Sequence, residues 1–174
     1  MAPPVVPPVT RPEPPQTGDE RSMLAMWLDY QRATLRWKCE GLEGEALARR
    51  GVPPSGLSLL GIVRHMTFVE WSWFEKVFEG RSTAQPFPTD VDPDSDFNDL
   101  HPGAAAADFE RFDAQCDISR SIVADAESLD ALTAAGKHGP YSLRWIVIHM
   151  IEEYARHNGH ADLLREQIDG AVGE

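Results

Sequence analysis

Glu153 and His157 stand four residues apart in HMIEEYARHNGHADLLRE, residues 149–166. On a helix that spacing sets a carboxylate and an imidazole about 40° and one turn apart, so both can grip one metal ion. Ile146, Met150, Glu153, His157, Ala161 and Leu164 follow a single stripe, which places Glu153 among apolar neighbours. Desolvating a carboxylate is costly unless it is paired or bound to metal. The same segment offers Glu152, His149 and His160. Glu152 points about 100° away, toward solvent. His149 and His160 flank the pair as groups behind the ligands, as proton carriers or as core imidazoles. A further imidazole, His65, lies in the apolar segment LLGIVRHMTFVEWSWF, residues 59–74. On spacing alone an i,i+4 salt bridge explains Glu153 and His157 as well as a metal does, and His65 by itself reads as structural.

These residues need helices to position them. Met23, Met26, Trp27, Tyr30, Thr34 and Trp37 recur at three- and four-residue steps, which predicts an amphipathic helix from Asp19 to Leu42. A turn through VPPSGLS precedes a second helix, Leu57 to Glu79, with Ser58 or Ser55 as its N-cap. Its apolar face carries Leu59, Ile62, Val63, Met66, Val69, Trp73 and Val77. Residues 80–103 form a long loop rich in Pro, Asp and Gly, and loops of that length often lie over a functional opening. A third helix spans Ala104 to Leu129, with Phe109, Phe112, Cys116, Ile118, Ile122 and Val123 inward. A fourth runs from Tyr141 or Ser142 to Ile168, roughly 40 Å at 1.5 Å per residue. Gly159 within it costs about 1 kcal/mol relative to alanine. No strand pattern and no repeat are visible, so the fold class is all-α, a four-helix bundle with long connections over residues 19–170. Residues 1–18 carry repeated prolines and read as an extended, disordered tail.

The composition narrows the function. A net charge of −12 argues against nucleic-acid binding, which needs a basic patch, and against attachment to anionic membranes. The two cysteines, Cys39 and Cys116, have no CxxC spacing; they suit a reducing cytosol and read as small core residues. The N-terminus lacks the apolar run of a signal peptide, and no stretch is long enough to span a membrane, so the expected location is cytoplasmic. Asp90, Asp92, Asp94 and Asp96 alternate as in a calcium loop. However, Ser95 replaces the required glycine and His101 the closing glutamate, so the EF-hand pattern fails. Phosphate loops, a GxSxG elbow and HExxH are absent.

LSLLGIVRHMTFVEWSWF and LRWIVIHMIEEYARHNGHADLLRE, in this order and separation, resemble the DinB-type four-helix-bundle superfamily. The likeness covers about residues 20–170 and leans toward an actinobacterial branch that includes the mini-circle protein. It implies a metal held by His65 from the second helix and by Glu153 and His157 from the last. Many members carry histidine where Glu153 stands. The carboxylate there is similar to the mycothiol-dependent maleylpyruvate isomerase, whose second domain has no counterpart here. Two histidines and a carboxylate admit zinc, nickel or iron, with coordination positions left open. In related enzymes the metal is thought to bind a thiol cofactor's sulfur and lower its pKa. Arg64, Arg144 and Arg156 lie near these ligands in sequence and offer a hold for a substrate carboxylate.

The resulting expectation is a metal-dependent enzyme that transfers a low-molecular-weight thiol, mycothiol, to an electrophile, or uses it as an isomerisation cofactor. The alternatives are a non-catalytic metal-binding or stress-response bundle and a hydrolase using metal-bound water. Five tryptophans suggest an outer face for a homodimer.

Overall fold

The computed structural model describes residues 6–87, 92–134 and 139–173. Asp90 of the acidic run, and residues 135–138 of the loop before the last helix, lie outside them. The described elements are α1 (Glu20–Cys39), α2 (Gly44–Leu47), α3 (Leu59–Glu70), a π-helical continuation of α3 (Trp71–Phe78), α4 (Ser95–Asn98), a 3-10 turn (Pro102–Ala104), α5 (Ala105–Asp125) and α6 (Leu143–Asp169). The only β-type pairing among the described residues is an isolated antiparallel bridge between Leu132 and Ser142. The chain is all-α, and α1, α3 with its continuation, α5 and α6 form a four-helix bundle. No helix among the described residues is long and apolar enough to cross a membrane.

Side-chain caps start three of the four long helices. Asp19, Ser58 and Ser142 accept hydrogen bonds from the amides of Ser22, Gly61 and Trp145, which satisfies donors that have no partner inside the helix. Ser58, rather than Ser55, caps α3. Gly170, at φ 80°, ends α6 in the left-handed conformation that favours glycine. α5 stops at Asp125, short of Leu129, and the chain then turns through the Leu132–Ser142 bridge into α6.

Cross-helix contacts fix the directions. Glu20 meets Arg144 at one end, Gln31 meets Asn158 midway, and the carbonyls of Lys38 and Glu40 accept from Arg165 at the other end. Hence α1 and α6 run parallel. His65 faces His157 while Trp73 faces His149 and Trp145, so α3 runs against α6. Arg64 pairs with Asp108, and Gln115 donates to Glu75, so α5 runs with α3. The order is up-down-down-up, which requires the long connections that the sequence supplies.

Two expectations are corrected by the packing. The inward face of α1 is Leu28, Arg32, Leu35 and Cys39, whereas Met26 and Trp27 are about two-fifths exposed at 40% and 42%. Arg32 sits in that stripe because its guanidinium forks onto Glu70 of α3, Nε to Oε1 and Nη2 to Oε2, both at 2.8 Å. Counting it as a solvent-facing charge rotates the apparent face away from the true one. Ile118 of α5, expected inside, is likewise exposed.

The described part of the N-terminal segment, from Val6, is docked on the bundle. Val6 is fully buried, its carbonyl accepts from the Gly41 amide, the Val9 amide donates to Glu40, and Arg11 lies over the rings of Tyr30 and Trp37. Proline-rich backbone needs no internal hydrogen bonds, and its few apolar side chains find the α1 surface.

Glu70 anchors the centre of the bundle. It has no solvent exposure, takes both bonds from Arg32 and accepts a third at 2.8 Å from the Tyr154 hydroxyl of α6. Burial is the main cause that raises the Tyr154 hydroxyl's pKa, with Cys116 and Glu70 adding to it. Both cysteines are buried free thiols. Burial pushes Cys39 up to about 12 and raises Cys116 as well, so neither is a ready nucleophile.

Candidate metal centre

α3 and α6 bring His65, Glu153 and His157 to one place at the edge of the bundle. One donor atom from each lies within 4.8 Å of the others. The His65 and His157 ring centres are 4.9 Å apart, and His157 Nε2 is 3.8 Å from Glu153 Oε2. The side chains are 22%, 15% and 10% exposed for His65, Glu153 and His157, so each is largely withdrawn from water but reachable. Two imidazoles and a carboxylate are a donor set that suits a divalent ion with positions left over.

The imidazoles are prepared for ligation. His65 Nδ1 lies 2.8 Å from Asp96 Oδ2, which keeps the proton on Nδ1 and frees Nε2. Burial lowers the pKa of His157 to about 4, helped by the neighbouring charges of His65, His160 and Arg156. His157 is therefore neutral near pH 7, the form that binds metal. Its Nδ1 lies 3.5 Å from His160 Nδ1, which leaves Nε2 toward Glu153.

Asp96 is the functional neighbour that sequence reasoning missed. It belongs to the acidic alternation, whose calcium-like spacing drew notice away from histidine partners. The structure shows Asp92 turned to Asn98 and to the Asp94 amide, while Asp96 alone reaches His65. Phe97, in α4, stacks on His65 with ring centres 4.6 Å apart. Gly61 permits that approach, because a Cβ there would meet Phe97 Cδ1 at 3.2 Å and Ser58 Oγ at 3.1 Å.

The three arginines have different fates. Arg64 is buried and does not join the triad; it donates to the carbonyls of Asp96 and Ser95 and pairs with Asp108. Its effect is to clamp α4 so that Asp96 stays on His65. Arg144 is held at the other end of α6 by Glu20 and Asp130, which raise its pKa, and the structure does not bring it to the triad. Arg156 does reach it, with Nη2 2.6 Å from Glu153 Oε1 and 3.2 Å from Glu152 Oε1. Glu153 is thus divided, one oxygen anchored by Arg156 and the other facing His157.

His149 lies 3.5 Å from Glu153 Oε1 through Nε2, and 3.4 Å from Glu152 through Nδ1. His149, Glu152 and Glu153 also form a grouping with metal-like spacing, but Arg156 already supplies the positive charge there. Cavities along α1 are lined by none of the triad residues.

A family model described as mycothiol-S-transferase matches residues 23–170. No curated protein and no solved structure matches the chain. The matched span holds the whole bundle apart from the first residues of α1, both triad-bearing helices included, and the chain belongs to the mycothiol-S-transferase family, a DinB-like family.

Proposed function

We propose that this protein is a metal-dependent S-transferase that joins mycothiol, or a similar low-molecular-weight thiol, to an electrophilic carbon in the cytosol. The observation that carries the reading is the convergence of His65, Glu153 and His157 from two helices within 4.8 Å, in a chain of this family. A divalent ion held by these three residues would lower the pKa of a thiol sulfur and raise the fraction of nucleophilic thiolate at neutral pH.

The chain's own residues do the rest. Asp96 holds His65 in the ligating tautomer. Arg156 steadies Glu153 and offsets part of its charge. His149, 22% exposed and beside Glu153, takes the thiol proton at Nε2 and passes it to solvent. The thiolate sulfur attacks the electrophilic carbon: the C–S bond forms, and the leaving group departs with the electron pair of its broken bond. Cys39 and Cys116 are buried with raised pKa values and take no part.

The test is conjugation of mycothiol to monochlorobimane by metal-loaded protein, with the bound metal measured beside it. We expect a thiol-saturable rate above background that His157→Ala abolishes while the helical circular-dichroism signal persists. A background rate alone, or one unchanged in His157→Ala, would overturn the proposal. A melting temperature that rises with metal while no turnover is found would point to an ion that only pins the bundle.

A further inference from the structure

Next to the triad four rings touch in a continuous ledge, of which the chemistry proposed above uses only His149. Trp73 lies with its ring centre 5.4 Å from Tyr141, 5.3 Å from Trp145 and 4.8 Å from His149. Tyr141 and Trp145 are 4.6 Å apart, and Trp145 stacks on His149 at 4.9 Å with 22° between the planes. Trp145 and His149 are one turn apart on α6, and Glu153 is one turn further. The ledge therefore runs from the entrance of α6 to the Glu153 carboxylate, with His149 as its inner end.

Core packing accounts for Trp73 and Tyr141, which lie partly buried against the hydrophobic core, but not for Trp145. The hydrophobic core beneath is closed by Phe74, Ile146 and Met150, each without exposure, and Trp145 is not part of that cluster. Trp145 is 43% exposed. Trp73 reaches α6 from the π-helical stretch Trp71–Phe78, a geometry that is rare in helices and frequent at functional sites.

We infer that this ledge is the subsite for the electrophile, and that it selects a planar, electron-poor aromatic one. The reading of the adjacent triad as an S-transferase centre underlies the word electrophile. The faces of indole and phenol rings are electron-rich, so they stack best on a flat ring that is short of electrons. Such a ring is also the kind that a thiolate attacks. Among the described residues Glu152, Glu153 and Arg156 put charge at the inner end while the ledge itself is aromatic, so an apolar ring is favoured along it and its reacting carbon is delivered toward the triad. The specificity-determining residues are Trp145 and Trp73.

Equilibrium dialysis of the full-length protein against 2,4-dinitroaniline, a flat electron-poor ring that does not react with thiols, tests the subsite without turnover. We expect saturable binding in the wild type and in the Trp27→Leu control. Binding should weaken about tenfold in Trp145→Leu, the loss of one stacked partner, and recover in part in Trp145→Phe. No saturable binding in the wild type, or Trp145→Leu binding as the wild type does, overturns the inference. In metal-loaded protein with mycothiol, the preference in kcat/KM for 1-chloro-2,4-dinitrobenzene over iodoacetamide should fall in Trp145→Leu. An equal loss for both electrophiles also overturns it. Ring binding that depends on Trp145, in a protein that conjugates neither electrophile, would sink the transferase reading while leaving the aromatic subsite standing.

Discussion

Glu70 and Glu153 are both carboxylates withdrawn from water in the same bundle, one at its centre and one at the α3–α6 edge. Glu70 is complete, with two bonds from Arg32 and one from Tyr154, none longer than 2.8 Å. Glu153 is divided, because Arg156 holds one oxygen while the other faces an imidazole 3.8 Å away. A buried ionic group with both oxygens hydrogen-bonded serves the fold, and removing one partner strands the other. Glu153 lies beside the neutral imidazole of His157 with one oxygen not taken up by Arg156, as the proposed metal site would need. Burial and charge alone do not separate the two places. Satisfaction of the donors does.

The comparison breaks most readily at Glu70. Glu70→Ala leaves Arg32 buried without its partner and should cost about 3–5 kcal/mol in urea unfolding. A cost below about 1 kcal/mol would show that water, with the Asp29 bond that Arg32 Nη1 already makes, suffices for the guanidinium. At the other carboxylate the expected response is to metal. Zinc at about a hundred times its Kd should stabilise the wild type by about 2.7 kcal/mol, a rise of roughly 5–10 °C in Tm. Treatment with a chelator should reverse that rise, and His157→Ala should not show it.

Asp96→Asn sharpens the same contrast at smaller scale. The amide can turn a donor toward His65 Nδ1 and favour the wrong tautomer, so zinc affinity measured by chelator competition should fall about 10–100-fold. The Tm of the metal-free protein should move little.

A pH series on metal-free protein adds a fourth test. The folded-state pKa of His157, about 4, is below its ordinary value of about 6.5, so the unfolded chain binds that proton more readily. The contribution to stability is complete above about pH 6.5 and is lost as pH falls toward 4. His157→Gln should flatten that slope relative to the wild type. A slope unchanged by the substitution would place the titrating group elsewhere.

The smallest effect belongs to Gly159, which lies on α6 between the two networks' levels and the C-terminus. A Cβ there meets nothing within 4 Å, so the glycine is not required by tight packing. Gly159→Ala should add about 1 kcal/mol of stability and leave zinc affinity as it was.

Glu153 and His157 were legible in the sequence as a pair because their relation is internal to one helix, where 3.6 residues per turn decides which side chains align. The four long helices, and Ser58 as one of two N-cap candidates, were legible for the same local reason, whereas the capping by Asp19 and Ser142 came from the structure. His65 was visible as a histidine on an apolar face, but its meeting with the pair depends on α3 running against α6. Asp96 and Arg64 act across the 80–103 connection, over about thirty residues of chain, and no spacing rule reports that. Arg32 misled the reading of α1, since a charge in a stripe looks solvent-facing until its partner on another helix is known.

What the sequence by itself determined is the four long helices and the carboxylate–imidazole pair that a single helix aligns. The tertiary structure alone decided the short helices α2 and α4, the up-down-down-up order, the approach of His65 to that pair, the Asp96 support and the difference between Glu70 and Glu153. The physical reason is range. Backbone hydrogen bonds and helical periodicity act within a few residues, whereas pairing a buried charge requires a partner that only packing delivers.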